Sequence, residues 1–368
     1  MVKNKIVYIA DFSLPNQSAY TIHVLKMCDA FVNFNYDVTL IVFSKKNILF
    51  NNIKKKFLLK NRFKIISIYN KKKKLNILNR IFYGYKILKI IKLKTNIKII
   101  YSRSILPSLL LAFNGYKNIL EIHTEMSGIT KIIFNLRNLF INQKYLSFVL
   151  IHDYLKKKLN ITKNITVLDD AVDTKNFKYK KDKEYKNRCV YTGSFVKGKS
   201  VEIISKVAMK TPNINYDLYG NINTLEPENY YIKKQKNIFF KGYAPYNKIP
   251  KILSKYPILL MPYQSYVGVL IDNIDVSKYF SPLKLFDYLA VGKIILASNL
   301  KSYSHILKHK QNSLLINSES IDKWCYYINT SLKNKKKLKH LKTNAIKTAN
   351  LYTWNLRIKK ILKFYEKK

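Results

Sequence analysis

The chain has few cysteines and no long apolar runs. Its three cysteines, Cys28, Cys189 and Cys325, lie far apart. They lack the spacing of a disulfide framework or a metal site, as expected in a reducing compartment. Residues 1–12 lack the long apolar core of a secretory signal, and no segment reaches the ~18 apolar residues of a membrane span. We therefore expect a cytoplasmic protein, either free or peripheral on the inner face of the cytoplasmic membrane.

Arginine is also scarce, although the formal net charge is +47. Only six of the 68 basic residues are arginine, and the other 62 are lysines spread over most of the chain. Proteins that read bases usually rely on arginine forks, and an AT-rich genome produces heavy use of Lys, Asn, Ile, Tyr and Phe whatever the function. We therefore expect no nucleic-acid partner, and keep a charge-driven nucleic-acid-binding protein as an alternative.

Apolar runs of strand length alternate with helical patterns, which is typical of parallel α/β sheets. The chain has 368 residues and is 48% hydrophobic, which is enough for two domains. The strand-like runs are KIVYIADF, DVTLIVF, FKIISIY, IKIIYSR, NILEIH and SFVLIH in the first half, and CVYTG, INYDLYG, NIFFKGY, PILLMPY, KIILASN and SLLI in the second. Helical patterns are clearest at 18–33 and 80–94. The predicted parts are an N-terminal domain over residues 1–170, a charged linker over 171–186, a C-terminal domain over 187–350 and a last helix over 351–368. The last helix is expected to pack on either domain.

The stretch FSPLKLFDYLAVGKIILASN, residues 280–299, places a carboxylate in a helix built for burial. Ser281 is a good N-cap, Pro282 suits the first helical position, and Gly292 is a natural end. Asp287 falls on the apolar face, where a carboxylate is costly unless it is paired. Two interpretations remain open: an ion pair with Lys284 at i,i+3, or a polar ligand that fills the pocket.

Five segments, taken in order, resemble the retaining family 4 glycosyltransferases of the GT-B fold. They are the opening SLPNQSAYTIHVLKMCDAF together with ILEIHTE, then VLDDAVDTKNF, YTGSFVKGKSVEII, NIFFKGYAPYNKIPKIL…PILLMPY and SPLKLFDYLAVGKIILAS. The resemblance runs nearly end to end. It implies two doubly wound Rossmann-like domains that face each other across a cleft, with the acceptor on the N-terminal side and a nucleotide sugar on the C-terminal side.

On the donor side, the resemblance implies a diphosphate at the amino end of the 282–291 helix, where free N–H groups and the helix dipole favour anions. Lys199 adds a point charge, and Asp287, which replaces the usual glutamate, accepts hydrogen bonds from the ribose hydroxyls. The expected catalytic residues are His123, Lys199 and Asp287. The expected donor-binding residues are Gly193, Ser194, Lys197, Lys199, Tyr279, Ser281, Pro282, Leu283, Lys284 and Asp287.

Two positions depart from the family pattern. Ser194 stands where an arginine is common, and Lys197 is a candidate to compensate. Tyr279 stands where a second acidic residue is usual, and Asp272 or Asp275 is a candidate to replace it. Simple solvation of Lys197, Lys199 and the loop that holds the two aspartates is the competing interpretation.

On the acceptor side, His123 at the end of EIH is expected to contact the donor sugar near the reacting centre, with Glu121 orienting its imidazole because the two residues share a side of the strand. The competing interpretation is a structural histidine. The other expected acceptor-side residues are Asn16, Gln17, Ser18 and Arg103.

The expected reaction needs no metal or other cofactor beyond the nucleoside-diphosphate sugar. The sequence has no metal motif and no pair of carboxylates that supplies a covalent nucleophile. We therefore expect an oxocarbenium-like transition state, entry of the acceptor on the leaving-group side, and a phosphate as base. The resemblance implies cell-surface polysaccharide synthesis, with a catalytically degenerate sugar-nucleotide-binding protein as a further alternative.

The acceptor is expected to be a glycan or a lipid-linked glycan. Residues 80–95, RIFYGYKILKIIKLKT, mix apolar side chains with lysines. They form either a helix at an anionic membrane surface or a domain helix with one buried face.

Overall fold

The computed structural model describes residues 3–14, 16–44, 49–68, 76–178, 185–199, 201–268, 274–334 and 336–367. The chain divides into two compact units. The first contains Met1–Asp169 together with Trp354–Lys368, and the second contains Asp170–Thr353. The terminal helix is therefore part of the first unit, and the described part of the segment expected to be a linker, 171–186, belongs to the second.

The first unit is built from strands that alternate with helices. Its strands are β1 (Lys5–Ala10), β2 (Asp37–Val42), β3 (Lys64–Ser67), β4 (Ile97–Ser102), β5 (Asn118–Ile122), β6 (Leu146–Leu150) and β7 (Ile165–Val167). Its helices are α1 (Ala19–Asn33), α2 (Phe50–Phe57), α3 (Ile77–Lys92), α4 (Ile105–Phe113), α5 (Gly128–Asn135), α6 (Arg137–Phe140), α7 (Tyr154–Lys158) and the terminal helix, with a 3-10 turn at Gln143–Tyr145. The alternation predicted from the apolar runs is confirmed.

The strands of the first unit form a parallel sheet in the order β3-β2-β1-β4-β5-β6-β7. The order reverses between β1 and β4, so ligand-binding residues are expected beyond the carboxyl ends of these strands. The central strands are rich in Ile and Val and are buried along most of their length, as parallel strands covered on both faces are. The edge strand β7 was not predicted, because three half-buried residues leave too short an apolar run.

Helix α3 has one face in the core and one face in solvent. Tyr83, Ile87, Leu88 and Ile91 are buried, and Gly84 lies where a Cβ would be 3.3 Å from the Cα of Pro107 in α4. The prediction of a domain helix with one buried face is therefore confirmed. The helix begins at Ile77, earlier than predicted, because Asn76 caps it by accepting a hydrogen bond from the N–H of Asn79 at 2.9 Å.

The second unit repeats the same plan. Its strands are β8 (Arg188–Thr192), β9 (Asn215–Tyr219), β10 (Ile238–Gly242), β11 (Ile258–Met261), β12 (Ile294–Ser298) and β13 (Leu314–Ile316). Its helices are α8 (Val201–Lys210), α9 (Ile249–Ser254), α10 (Leu283–Val291), α11 (Ile321–Lys333) and α12 (Lys339–Asn350), with 3-10 segments at Ile222–Thr224, Pro227–Lys234, Tyr246–Lys248 and Lys301–Tyr303. The terminal helix of the first unit is α13 (Trp354–Glu366).

The second sheet is also parallel, with the order β10-β9-β8-β11-β12-β13. Its switch point lies between β8 and β11, so the loops after these two strands are where a ligand is expected. A core of aliphatic and aromatic side chains joins this sheet to α8 and α11, with Trp324 almost fully buried in it. Within the described residues, no helix is sufficiently long and apolar to cross a membrane.

Candidate functional site

The loop after β8 depends on two glycines. Gly193 has φ +150°, and a Cβ on it would lie 2.4 Å from Nζ of Lys284. Gly198 has φ +77°, and a Cβ on it would lie 1.8 Å from the carbonyl oxygen of Tyr266. The Gly198 carbonyl also accepts a hydrogen bond from the N–H of Gln264 at 3.0 Å. A side chain at Gly198 would collide with backbone, and one at Gly193 would displace the Lys284 ammonium, so glycine allows this loop to approach its neighbours closely.

Lys284 places a cation beside this loop. Its Nζ is buried 3.9 Å from the ring centroid of Tyr191 and 5.4 Å from that of Tyr263. Among the residues that the structure describes, this nitrogen has no hydrogen-bond partner. Burial, helped by the positive charge of Lys199, holds the pKa of Lys284 well below its ordinary value. A buried ammonium without an acceptor is costly, and an anion in front of it would remove that cost.

Lys199 belongs to the same electrostatic environment, and Lys197 does not. Burial lowers the pKa of Lys199 to about 8, whereas the side chain of Lys197 is exposed. Ser194 uses its carbonyl to accept a hydrogen bond from the hydroxyl of Tyr191 at 2.8 Å. Lys284 therefore lies beside Gly193, the residue before the position of the missing family arginine, where the sequence had suggested Lys197.

Asp287 is buried in α10, 7% exposed. The predicted alternative of an ion pair with Lys284 is wrong, because Nζ of Lys284 has no partner among the described residues and lies against tyrosine rings. The negative charge of Asp287 adds to burial in raising the pKa of Tyr246, which places this carboxylate close to that phenol.

The start of α10 differs from the prediction. The helix begins at Leu283, and Pro282 is the N-cap, a position from which its side chain offers no acceptor. Ser281 is not the cap, because its Oγ accepts a hydrogen bond from the N–H of Asp170 at 3.3 Å. The predicted end is confirmed, since Gly292 has φ +64° directly after Val291.

The expected replacement for the second acidic residue has another task. Asp275 accepts hydrogen bonds from the N–H groups of Val267 and Ser277 at 3.0 and 2.9 Å, and from the Ser277 hydroxyl. It thereby holds its own loop, and Asp272 lies outside the described residues. Tyr279 is fully buried, so it contributes to packing at the position where the family has an acid.

In the first unit, a buried carboxylate lies close to four polar side chains at the carboxyl end of β5. Oε1 of Glu121 lies 2.6 Å from Nε2 of His123, 3.0 Å from Nε2 of His23 and 2.5 Å from an Nη of Arg357. Its Oε2 accepts a hydrogen bond from the hydroxyl of Tyr101 at 2.7 Å. Burial acts to raise the pKa of Glu121, but the charges of His23 and Arg357 and the hydrogen bond from His123 outweigh it and hold that pKa well below the ordinary value.

The protonation of His123 follows from these neighbours. Burial and the positive charge of Arg103 lower its pKa to about 4, so the imidazole is neutral at pH 7. Because ionised Glu121 only accepts hydrogen bonds, the proton of the neutral ring lies on Nε2 and is donated to Oε1. Nδ1 is then the acceptor of the ring. Glu121 therefore sets the tautomer, as the expectation that it orients His123 requires.

The loop after β1 and the end of β4 complete this edge of the sheet. The guanidinium of Arg103 stacks on Tyr20, 4.3 Å from its ring centroid, and the Tyr20 hydroxyl donates to Asp11 at 2.9 Å. Oδ1 of Asn16 accepts from the N–H of Ser18 at 2.8 Å. The side chain of Ser18 caps α1 by accepting a hydrogen bond from the N–H of Thr21. Gln17, between Asn16 and Ser18 in the sequence, is half-buried.

Three members of the Glu121 cluster were not predicted: His23 on α1, Tyr101 in β4 and Arg357 on α13. Arg357 also donates to the carbonyls of Leu168 and Asp169, each at 3.0 Å. A weak sequence signal existed for Arg357, since it is one of only six arginines in a lysine-rich chain. Local patterns do not reveal the other two.

Comparisons with known proteins agree with this architecture. Residues 172–348 match the model of the family described as glycosyl transferases group 1. This region resembles a group 1 glycosyltransferase. No curated protein matches the chain by sequence.

Solved structures match the chain over nearly its whole length. A glycosyltransferase from Rickettsia africae has 14% identity and a TM-score of 0.75, with 99% of this chain and 98% of that chain covered. HepE from Anabaena, in complex with UDP and glucose, has 12% identity and a TM-score of 0.71, with 97% and 99% covered. WaaG, a glycosyltransferase involved in lipopolysaccharide biosynthesis, has 12% identity and a TM-score of 0.66, with 96% and 99% covered. The fold is GT-B, as predicted.

Proposed function

We propose that the chain is a retaining glycosyltransferase that moves a sugar from a nucleoside-diphosphate sugar to a glycan or glycolipid acceptor. The observation that carries the proposal is a pair of half-buried lysines, Lys284 with its Nζ beside Gly193 and Lys199 in the same loop as Gly193. Lys284 lacks an acceptor among the described residues, and the pKa values of Lys284 and Lys199 are both lowered. A diphosphate satisfies both charges. The match of residues 172–348 to group 1 glycosyl transferases supports the same assignment.

The donor occupies the carboxyl end of the second sheet in this proposal. Its diphosphate lies against the start of α10, where the N-cap Pro282 has no side-chain acceptor that would compete for the first N–H groups. Lys199 and Lys284 neutralise the phosphate oxygens. Asp287, in the second turn of the same helix, accepts hydrogen bonds from the ribose hydroxyls. Being one methylene shorter than glutamate, it requires the ribose to approach α10 closely or a water to bridge the gap.

The chemistry requires no metal in this proposal, because the two lysines and the helix dipole stabilise the departing diphosphate. The anomeric carbon passes through an oxocarbenium-like state. The acceptor hydroxyl attacks from the leaving-group side and gives its proton to a phosphate oxygen, which preserves the anomeric configuration. Nδ1 of His123 accepts a hydrogen bond from a sugar hydroxyl, while its Nε2–H remains on Glu121.

The acceptor is proposed to be a growing cell-surface glycan, such as lipopolysaccharide, capsule or exopolysaccharide, elongated on the cytoplasmic side of the membrane. The similarity to WaaG, described as acting in lipopolysaccharide biosynthesis, and to HepE, solved with UDP and glucose, supports this class of reaction.

A panel of UDP-, GDP-, ADP- and dTDP-sugars tests the proposal by thermal shift and then by hydrolysis. One nucleotide should raise the melting temperature, and Asp287→Ala should weaken its binding at least about tenfold through loss of charged hydrogen bonds to the ribose. Asp322→Ala is the matched control, because Asp322 is an exposed helical aspartate that pairs only with exposed Lys210 among its described contacts. If none of the nucleotides raises the melting temperature, the proposal is contradicted.

A degenerate donor-binding protein is the second candidate, because a buried tyrosine, Tyr279, replaces the second acidic residue. It predicts nucleotide binding without hydrolysis or transfer. Steep salt-dependent binding to RNA or DNA that Asp287→Ala leaves unchanged would instead favour the nucleic-acid-binding alternative.

A further inference from the structure

Exposed aliphatic and aromatic side chains are concentrated on the helices that follow β5. On α5, α6 and the residue between them, five large apolar side chains face solvent, and Leu139 is 74% exposed. They are Ile129, Ile132, Leu136, Leu139 and Phe140. Soluble proteins expose such residues singly, and a contiguous group marks an interaction surface.

The outer face of α3 has the same character and adds charge. Leu78 is 71% exposed, and Phe82 and Tyr85 are about half exposed. Lys86 places its Nζ 4.6 Å from the Phe82 ring centroid, and Lys89 places its Nζ 4.9 Å from that of Tyr85. Cations that lie over exposed aromatic rings are the arrangement by which amphipathic helices meet a bilayer interface.

These helices belong to one layer of the first unit. Helix α4 packs against both α3 and α5, and the small Gly84 allows α3 to approach α4 closely. Exposed Phe113, at the end of α4, extends the apolar character between them. The solvent-facing sides of α3, α5 and α6 are called the α3–α6 surface below.

The described part of the second unit lacks a counterpart. Its exposed large apolar residues are mostly tyrosines, whose hydroxyls tolerate water, together with Met209 and Leu351. The exposure of Leu, Ile and Phe in the first unit is therefore not a general property of the chain.

The charged residues of α3, α5 and α6 are all basic. Residues 38–120 contain no Asp or Glu and 20 Lys or Arg, and residues 128–140 also contain no acid. The lysines of α3 thus have no carboxylate on their own helix or on α4, which packs against it. Arg80, near the start of α3, lies 3.6 Å from Asp11. Such a surface attracts an anionic partner and repels a second copy of itself.

We propose that the α3–α6 surface docks the protein on an anionic lipid bilayer. Apolar side chains would enter the interface while the lysines contact the headgroups. Helix α5 begins at Gly128, only five residues after His123, so the docked surface adjoins the edge of the sheet that holds the proposed sugar-contacting residue. This position suits a lipid-linked acceptor. The suggestion about the acceptor rests on the proposed function, whereas the docking proposal is independent of it.

Sedimentation with phosphatidylcholine vesicles, with and without phosphatidylglycerol, tests the proposal. The protein should bind the anionic vesicles, release in high salt and bind neutral vesicles weakly. Leu139→Glu, and separately Ile132→Glu, should each lower the partition coefficient about tenfold through loss of one buried apolar side chain. Met209→Glu, at an equally exposed site of the second unit, should change it less than twofold.

The lysines are tested with a matched pair of double variants. Lys86→Gln with Lys89→Gln should lower binding to anionic vesicles about 25-fold, at about fivefold per lysine, whereas Lys233→Gln with Lys234→Gln in the second unit should have little effect. Equal binding to both vesicle types, no binding, or equal effects of Leu139→Glu and Met209→Glu would overturn the proposal. So would a change from dimer to monomer in light scattering on Leu139→Glu without a change in vesicle binding. The melting temperature of each variant without nucleotide reports whether it is folded. The increase in melting temperature on adding the nucleotide reports the proposed function, independently of vesicle binding.

Discussion

Arg357 offers the sharpest test of the buried charge cluster in the first unit. Its guanidinium is the permanent cation beside Glu121, and the side chains of Arg357 and Glu121 are 3% and 0% exposed. The change Arg357→Ala leaves a buried carboxylate without that partner. Breaking a buried pair in this way costs about 3–5 kcal/mol. For a unit of this size, each 1 kcal/mol shifts the melting temperature by roughly 2–4 °C, so we expect a decrease of about 6–20 °C.

The pH dependence distinguishes lost charge compensation from lost packing. In the native protein, the pKa of Glu121 is held well below its ordinary value, despite burial, by His23, Arg357 and His123. Its contribution to stability is therefore present above the unfolded pKa of about 4.3 and is lost as pH falls through the folded value. Without Arg357, one of the charges that oppose burial is lost, so the folded pKa of Glu121 rises and the ionised carboxylate contributes less to stability at neutral pH. The stability lost through Arg357→Ala should thus be largest near pH 7 and shrink as the pH approaches that of the unfolded carboxyl.

Calorimetric unfolding of Arg357→Ala between neutral and mildly acidic pH measures this effect. Lys359→Ala, an exposed position on the same helix, is the control and should leave the transition unchanged. Adding Glu121→Gln to Arg357→Ala should recover part of the lost stability, because a neutral amide has no charge to compensate. A loss below about 1 kcal/mol, or one that is independent of pH, would refute the reasoning.

Two further predictions concern the second unit. The pKa of Lys199 is lowered to about 8, and a bound diphosphate would raise it. The affinity for UDP should therefore fall as pH rises above 8. A calorimetric titration that shows constant UDP affinity above pH 8 would contradict this prediction. Gly198→Ala places a Cβ 1.8 Å from the Tyr266 carbonyl at φ +77° and should cost well over the about 1–2 kcal/mol of left-handed strain alone. Gly242→Ala is the control, because Gly242 has φ +71° but a Cβ there would have nothing within 4 Å, so it should cost only the strain. Equal losses of unfolding free energy for the two variants in urea would be inconsistent with a clash at Gly198.

Most of the fold could be predicted from the sequence because parallel strands buried on both faces are continuous apolar runs. Each predicted run overlaps one of the strands β1–β6 and β8–β13. The exception, β7, pairs on one side only and has three residues, so neither length nor apolarity marks it. Helix ends were less predictable, since capping competes with longer-range contacts. Ser281 has the right side chain for a cap, but it binds the backbone of Asp170, 111 residues away.

The candidate site was predictable only where it follows local rules. Strand ends placed His123 and the Gly193 loop at carboxyl edges, and helical periodicity placed Asp287 on the buried face of α10. Local spacing predicted Asp287 as the partner of Lys284, which is wrong. The ammonium of Lys284 lies instead against the rings of Tyr191 in β8 and Tyr263 in the loop after β11. A lysine that can reach two aromatic rings bends away from its helical neighbour. Only the tertiary structure contains that alternative.

Arginine scarcity was itself an unused signal. When compositional bias favours lysine wherever a simple positive charge suffices, an arginine indicates a site that needs a planar fork of several donors. Arg137 donates to the carbonyls of Phe134 and Asn160, and Arg188 contacts both carboxylate oxygens of buried Asp217. Arg357 joins Glu121 to two carbonyls. At each of these sites one guanidinium serves two or more acceptors in a buried or half-buried environment, which one ammonium cannot do with the same geometry. Arg137, Arg188 and Arg357 therefore mark polar junctions that no local motif indicated.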